Sequence, residues 1–236
     1  MKKTLAMVLT LALLCVLAVN STLSYFTDTA AAANTMTVGK VDIEQHQKDR
    51  NGTDVPKSIK MYPYTGTTNK DGTVYGGFRM YDTAKNAIDK IVTVTLQDGS
   101  EDAYVRTIFA FEAFGGENPI GNMIHLNYNE DQTVGVWGQC MDGTEAVTYT
   151  KNGTVYYLYM FTYKAALTSE NKTSAPSLLQ FYLDRKAENE FSGGGYEILV
   201  LSQAVQTKGF ESAGAVAALN TAFGVANGAN AEEWFK

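Results

Sequence analysis

Five Asn-Gly or Asp-Gly pairs, each followed by Ser or Thr, punctuate the chain and limit what it can fold into. They are Asn51-Gly52-Thr53, Asp71-Gly72-Thr73, Asp98-Gly99-Ser100, Asp142-Gly143-Thr144 and Asn152-Gly153-Thr154. Asn, Asp and Gly tolerate the positive φ angles that tight hairpin turns demand. Between these turns lie β-branched and aromatic runs, which predict strands over Ile91–Leu96, Ala103–Phe114, Thr133–Gln139, Glu145–Thr150, Val155–Tyr163, Leu178–Leu183 and Tyr196–Val205. In Ala103–Phe114, Tyr104, Arg106, Ile108 and Ala110 share one face, and Val105, Thr107, Phe109 and Phe111 the other. Tyr157, Tyr159, Phe161 and Tyr163 alternate strictly. Period-two patterning at this spacing predicts a mainly β fold, an antiparallel jelly-roll-like β-sandwich with one or more short helices. One helix is expected over Ser212–Phe223, with Ser212 as N-cap and Gly224 as stop. Gln45–Asp54 reads as a polar loop, and Asn227–Asn230 as a flexible turn before Trp234-Phe235.

The N-terminus reads as a targeting segment. Lys2 and Lys3 precede the uncharged, almost wholly apolar stretch Thr4–Val19, with small residues following at Ser21 and Ser24. That stretch is short for a membrane span of ~20 residues, so Met1–Ser24 is read as a signal peptide, with a retained anchor as the alternative. Cys15 follows Leu14 rather than the small residue a lipobox needs. By the small-residue rule alone, Ala18, Ser21 and Ser24 all compete as cleavage sites. The formal net charge is −6, and losing Lys2 and Lys3 makes it more negative. Such a chain is a poor match for nucleic acid or an anionic membrane surface. Removal of Cys15 leaves Cys140 as the single cysteine, so a secreted product has no intrachain disulfide and relies on its core or on assembly.

The stretch after Ser24 is patterned. Tyr25-Phe26-Thr27-Asp28 is followed by a small-residue run, Thr29–Ala33, and then by Asn34-Thr35-Met36-Thr37-Val38-Gly39. Further on, Gln97-Asp98-Gly99-Ser100 precedes Tyr104-Val105-Arg106. The last strand closes as Gln203-Ala204-Val205-Gln206-Thr207-Lys208-Gly209-Phe210, and Thr173–Leu178 has the same flavour. Together these features resemble the TasA/camelysin family, secreted bacterial proteins whose signal peptides are removed by a SipW-type signal peptidase. Asp98 stands where the family has Asn, and Glu44–Ile88 lies outside the resemblance.

The resemblance implies cleavage between Ser24 and Tyr25 and an organisation of signal peptide (1–24), N-terminal arm (25–45) and β-sandwich (46–236). It also implies a structural subunit of a biofilm-matrix or cell-surface fibre. In that picture the arm enters the sandwich of the next copy and builds a head-to-tail homopolymer by strand addition. The arm residues are Tyr25, Phe26, Asp28, Met36, Val38, Gly39, Val41 and Ile43. Gly39-Lys40 shifts the alternation by one position, so Met36 and Val38 face opposite to Val41 and Ile43, and a bulge or bend is expected there. The membrane enters only through an uncleaved signal segment, and related fibre or anchor proteins are further expected partners.

Chemistry is hard to assemble from these residues. Camelysin-type relatives make a secreted metallopeptidase the alternative, but His46, His125 and Cys140 are the only nitrogen or sulfur ligands and lack motif spacing. Both histidines read as surface-loop residues, and Cys140 as a small buried hydrophobe. No Gly-x-Ser-x-Gly elbow occurs. The pairs Glu101-Asp102 and Glu232-Glu233 read as solvated. Asp49–Asp54 and Asp98–Asp102 are oxygen-rich around a glycine, loosely like calcium loops, but tight turns explain them better. A third reading makes Tyr157–Tyr163 a glycan platform on a surface adhesin. No catalytic residue, metal or cofactor is assigned.

Overall fold

The computed structural model describes residues 35–67, 69–70, 72–129, 133–134, 147–187 and 193–235. The expected signal segment, its cleavage point at Ser24 and Tyr25, and the arm residues Phe26 and Asp28 lie outside these, as does Cys140.

The strands in chain order are β1 (Thr35–Val38), β2 (Ile43–Lys48), β3 (Ser58–Lys60), β4 (Val74–Tyr75), β5 (Phe78–Arg79), β6 (Ile88–Asp89) and β7 (Ile91–Leu96). They continue with β8 (Ala103–Glu112), β9 (Ile124–Tyr128), β10 (Thr133–Val134), β11 (Thr148–Lys151), β12 (Thr154–Tyr163), β13 (Leu178–Leu183) and β14 (Gly195–Gln206). Two helices follow, α1 (Gly214–Phe223) and α2 (Gly228–Trp234).

The larger sheet runs β1-β14-β8-β12-β10, with β11 also on β12 and β3 also on β14. All its pairings are antiparallel except β1 on β14. The second layer joins β2-β7 to β6-β13-β9. The link is a run of backbone bonds, in which Val92 and Val94 carbonyls accept from Ser177 and Ser174 and Lys172 O accepts from Leu96 N–H. The result is a mainly β sandwich.

Alternation decides which side chains meet inside. Phe109 and Phe111 of β8, Tyr159 and Phe161 of β12 and Ile198 and Val200 of β14 pack against Val92, Ile124, Leu178, Phe181 and Leu183 of the facing layer. The rings interlock edge to face, Phe109 with Phe161 at 5.3 Å and Phe111 with Tyr159 at 5.6 Å. The tyrosine strand is therefore corrected from a surface feature to a core one: Tyr159, Phe161 and Tyr163 are buried and offer no ladder of exposed rings to a glycan. The other face of the same strands is also apolar, because α1 and α2 cover it. Ile108, Ala110, Leu158, Met160 and Leu201 pack there with Ala231, Trp234 and Phe235.

The Asn152-Gly153 turn takes positive φ at both positions, 52° and 85°, the requirement of a two-residue hairpin that matches strand twist. It joins β11 to β12. Two other expectations are corrected. Ile43–Lys48 is a strand although it reads as polar, because its inward glutamines serve buried polar partners. Gln47 Oε1 accepts from the Lys90 ammonium at 2.7 Å, and Gln45 Oε1 from the Ser202 hydroxyl at 2.7 Å. Asn227–Asn230 opens a helix rather than a flexible turn: Asn227 caps α2 by accepting from Asn230 N–H at 2.8 Å.

Of the region 58–87, which the sequence left unassigned, β3 extends the larger sheet on β14, while described residues between Tyr64 and Ala87 strap the outer face of the second layer. Tyr64, Tyr81 and Tyr182 cluster there with centroids 4.7–5.8 Å apart. The Gln180 amide pairs with both backbone groups of Tyr81, as a neighbouring strand would. Asp89 receives Arg50 through Nε at 2.6 Å and Nη2 at 2.9 Å.

Candidate assembly site at the sheet edge

The expected arm divides at Gly39. Thr35–Val38 lies parallel to β14, in register Thr35 with Ser202 through Val38 with Val205. Five residues after Val38 the chain is in the second layer, where Ile43 pairs with Leu96. Gly39 has φ +91°, and a Cβ there would come within 2.5 Å of Gln206 Oε1. Only glycine fits both constraints without strain. The turn at Gly39 thus moves the chain between sheets.

The two parts of the arm have different surroundings. Val41 and Ile43 are buried in the sandwich core with Val94, Leu96, Val105, Tyr163 and Ala204. Met36 and Val38 face outward from β14 and are partly buried, Met36 beside the Trp234 cluster and Val38 beside Ala218 and Leu219 of α1. Thr35 and Thr37 point the opposite way and are buried. The seat of β1 is consequently built by the last strand and the two C-terminal helices.

A charged residue holds those helices. Arg106, in the middle of β8, is 1% exposed. Its Nε donates to Gln203 Oε1 at 2.7 Å, Nη1 to Asn220 Oδ1 at 2.8 Å and Nη2 to Gly224 O at 3.0 Å. The guanidinium carbon lies 5.1 Å from the Trp234 ring centre and 5.9 Å from that of Phe223, a distance at which a cation is attracted to a ring face. Burial pulls its pKa down to about 10, yet guanidinium stays charged at neutral pH. Gln203 Nε2 lies 3.4 Å from Met36 Sδ. One polar chain therefore runs from α1 through Arg106 and Gln203 to the outward face of β1, with α2 joined to it by the Trp234 ring contact. The sequence marks Arg106 only as the one basic residue in a mostly apolar strand.

The hinge yields a prediction. Gly39→Val must adopt a positive φ at a cost of roughly 1–2 kcal/mol and must displace Gln206. Amide hydrogen exchange across Thr35–Val38 is expected to quicken about tenfold, with β8 and β12 unchanged.

The residues weighed for chemistry are placed elsewhere. Both histidines sit on strands rather than in loops, which corrects that expectation. His46 on β2 bonds Thr95 Oγ1 at 3.1 Å. His125 on β9 bonds Asp184 Oδ2 at 2.7 Å and stacks on Tyr182. The backbone N–H of Lys186, and then His125, hold the Asp184 carboxyl below its ordinary range. Asp49 Oδ1 accepts from the backbone N–H groups of Asn51 and Thr53, both at 2.8 Å, and these hold its carboxyl low. Asp54 pairs with Lys48, and Asp98 with Lys172. Both oxygen-rich loops are thus occupied as turns and ion pairs. Glu101, Asp102, Glu232 and Glu233 are exposed. Among the described residues, no three His, Cys, Asp or Glu side chains gather as a metal-binding group, and no helix is long and apolar enough to cross a membrane.

Searches against protein-family models, curated proteins and solved structures return no match to this chain.

Proposed function

We propose that this protein is a structural subunit of an extracellular fibre, secreted by a bacterium after cleavage by a SipW-type signal peptidase, and that it polymerises by donating its N-terminal strand to the next copy. The observation that carries the reading is the position of β1. It is a four-residue edge strand, attached through a glycine turn, in a seat made by the opposite end of the chain.

An exchange of β1 between copies would recreate the same contacts, so its net cost is small. Each chain would then offer one strand and one seat, and such a heterologous contact need not close on itself. The resemblance to TasA/camelysin proteins, including the Tyr25–Asp28 cluster ahead of the strand, supports the same mechanism. The role assigned is structural, with no catalytic residue.

The test is electron microscopy of the secreted protein. Unbranched filaments are expected to appear as concentration is raised, beside monomers that keep β1 in their own seat. A protein that remains monomeric at millimolar concentration, where a tethered arm and a neighbour's arm compete on similar terms, contradicts the proposal.

A further inference from the structure

The helix-covered face of the larger sheet ends in a polar row. Glu112 lies two residues beyond Ala110 at the end of β8, and Glu197 two residues before Leu199 near the start of β14. The pairing that sets Ile198 opposite Phe111 brings the next residues, Glu197 and Glu112, opposite each other. Glu197 N–H accordingly reaches Glu112 Oε2 at 3.4 Å. Tyr156 of β12 stands opposite Glu112 on its other side, and Tyr149 of β11 opposite Tyr156. Two half-buried carboxylates thus face each other across adjacent strands, a position in which like charges destabilise a sheet. Among the described residues neither is in an ion pair. The lysines of the flanking strands are placed elsewhere: Lys151 Nζ donates to Phe235 O at 3.3 Å, and Lys60 stands opposite Gly195.

A second observation points to the same place. Tyr149 is 5% exposed, and its buried hydroxyl has no hydrogen-bond partner, a state that a native fold rarely leaves unexplained. The Tyr149 and Tyr156 ring centroids are 5.6 Å apart, little more than the ~4.8 Å between neighbouring strands, so both rings lean the same way. Tyr156 leans across β8, and its hydroxyl donates to Glu197 Oε2 at 2.6 Å. The Tyr149 hydroxyl is therefore directed at the same carboxylates. Burial first, and then the Glu197 charge, raise its pKa.

We propose that Glu112, Glu197 and the Tyr149 hydroxyl form one wall of a binding site for a hard divalent cation, and that the cation is calcium. Oε2 of each carboxylate takes a hydrogen bond, from Glu197 N–H and from the Tyr156 hydroxyl, which leaves Oε1 of each to the cation. The donors are all oxygen, with no nitrogen or sulfur among them, and such a set suits calcium or magnesium rather than zinc or copper. Two positive charges match the two carboxylates. An organic ammonium is a poorer fit, because the Tyr149 and Tyr156 rings are buried and give it no face to stack on. Magnesium demands a near-ideal octahedron, whereas calcium accepts an irregular shell completed by water. The cation turns a repulsive contact between β8 and β14 into a tie that also engages β11. The inference does not depend on fibre formation.

Calcium titration of the intact secreted protein tests the site, read by tyrosine-sensitised terbium luminescence with calcium as competitor, and by thermal unfolding. Calcium is expected to bind with a dissociation constant of roughly 10⁻⁴–10⁻³ M, the range of extracellular modules, and to raise the unfolding temperature accordingly. Glu112→Gln and Glu197→Gln should each weaken binding about tenfold or more, because affinity follows the charge of the ligands. Unfolding separates a cation site from a mere clash. In chelator, Glu112→Gln should unfold at a higher temperature than the parent, since the like-charge contact is gone. In saturating calcium that order should reverse. No calcium binding in the millimolar range, parental affinity in both variants, or a Glu112→Gln advantage that calcium leaves unchanged would each overturn the inference.

Discussion

Arg106→Ala is expected to destabilise the protein by roughly 2–4 kcal/mol, because three acceptors left alone at ~1–3 kcal/mol each outweigh the relief of a desolvated charge whose pKa burial pulls down to about 10. The loss has two sources. Gln203 Oε1, Asn220 Oδ1 and Gly224 O each lose a charge-assisted bond, and a buried acceptor left alone costs about 1–3 kcal/mol. The guanidinium also leaves an empty space against Phe223 and Trp234. Arg106→Lys is not expected to rescue, because an ammonium on a single stem cannot reach three acceptors in a planar fork. The effect should also be uneven. Urea denaturation reports the global loss, while hydrogen exchange should show α1, α2 and Thr35–Val38 opening before the Phe109–Phe161 core. Uniform loosening across both sheets would argue that Arg106 is an ordinary core residue rather than the tie between the helices and the seat.

Lys90→Met is expected to act in the opposite direction. Lys90 is fully buried, and desolvation lowers its pKa from 10.5 to about 8. A folded-state pKa below the unfolded one means the native fold binds this proton more weakly than the unfolded chain does. The penalty is fully present below about pH 8 and disappears as pH rises to about 10.5. A shift of that size corresponds to roughly 3 kcal/mol. Losing the bond to Gln47 Oε1 returns about 1 kcal/mol of it. At pH 7 the variant should therefore be more stable by about 2 kcal/mol. That gain, read as the difference between variant and parent because buried tyrosines with raised pKa destabilise both proteins near pH 10, should shrink on titration from pH 8 to 10.5. Denaturant midpoints at a series of pH values check the gain and its decline.

These two residues also mark how far the sequence could be read. β7, β8, β12, β13 and β14 are legible to within a residue or two because apolar side chains alternate along them and Asp-Gly or Asn-Gly pairs end several of them. β2 was illegible for a physical reason: its inward Gln45 and Gln47 are half-buried and serve as hydrogen-bond partners of Ser202 and Lys90, so hydrophobic periodicity carries no signal there. The strap over the second layer around Tyr64 and Tyr81 is held by a glutamine amide mimicking a strand and by three tyrosines meeting across distant segments, and no local pattern encodes that. α2 is short and Asn-capped, and its Ala-Asn-Gly composition resembles a turn. At the candidate site, Met36, Val38 and the turn at Gly39 were visible as a break in alternation. The division of the arm between two sheets was not, since it depends on β14 and β7 lying on either side. Arg106 was visible as a residue but not as a tie, because Asn220, Gly224 and Trp234 are more than a hundred positions away.

The division at Gly39 sharpens the decisive test. Deleting through residue 45 would remove half of β2 and with it Ile43 from the core, confounding assembly with folding. Deleting 25–38 spares Val41, Ile43 and the whole of β2. The measurement is electron microscopy of that deletion beside the intact secreted protein at matched concentration, with circular dichroism confirming that both are folded. Strand donation predicts filaments from the intact chain and only dispersed particles from the deletion. Filaments of unchanged abundance and width from the deleted chain would contradict it.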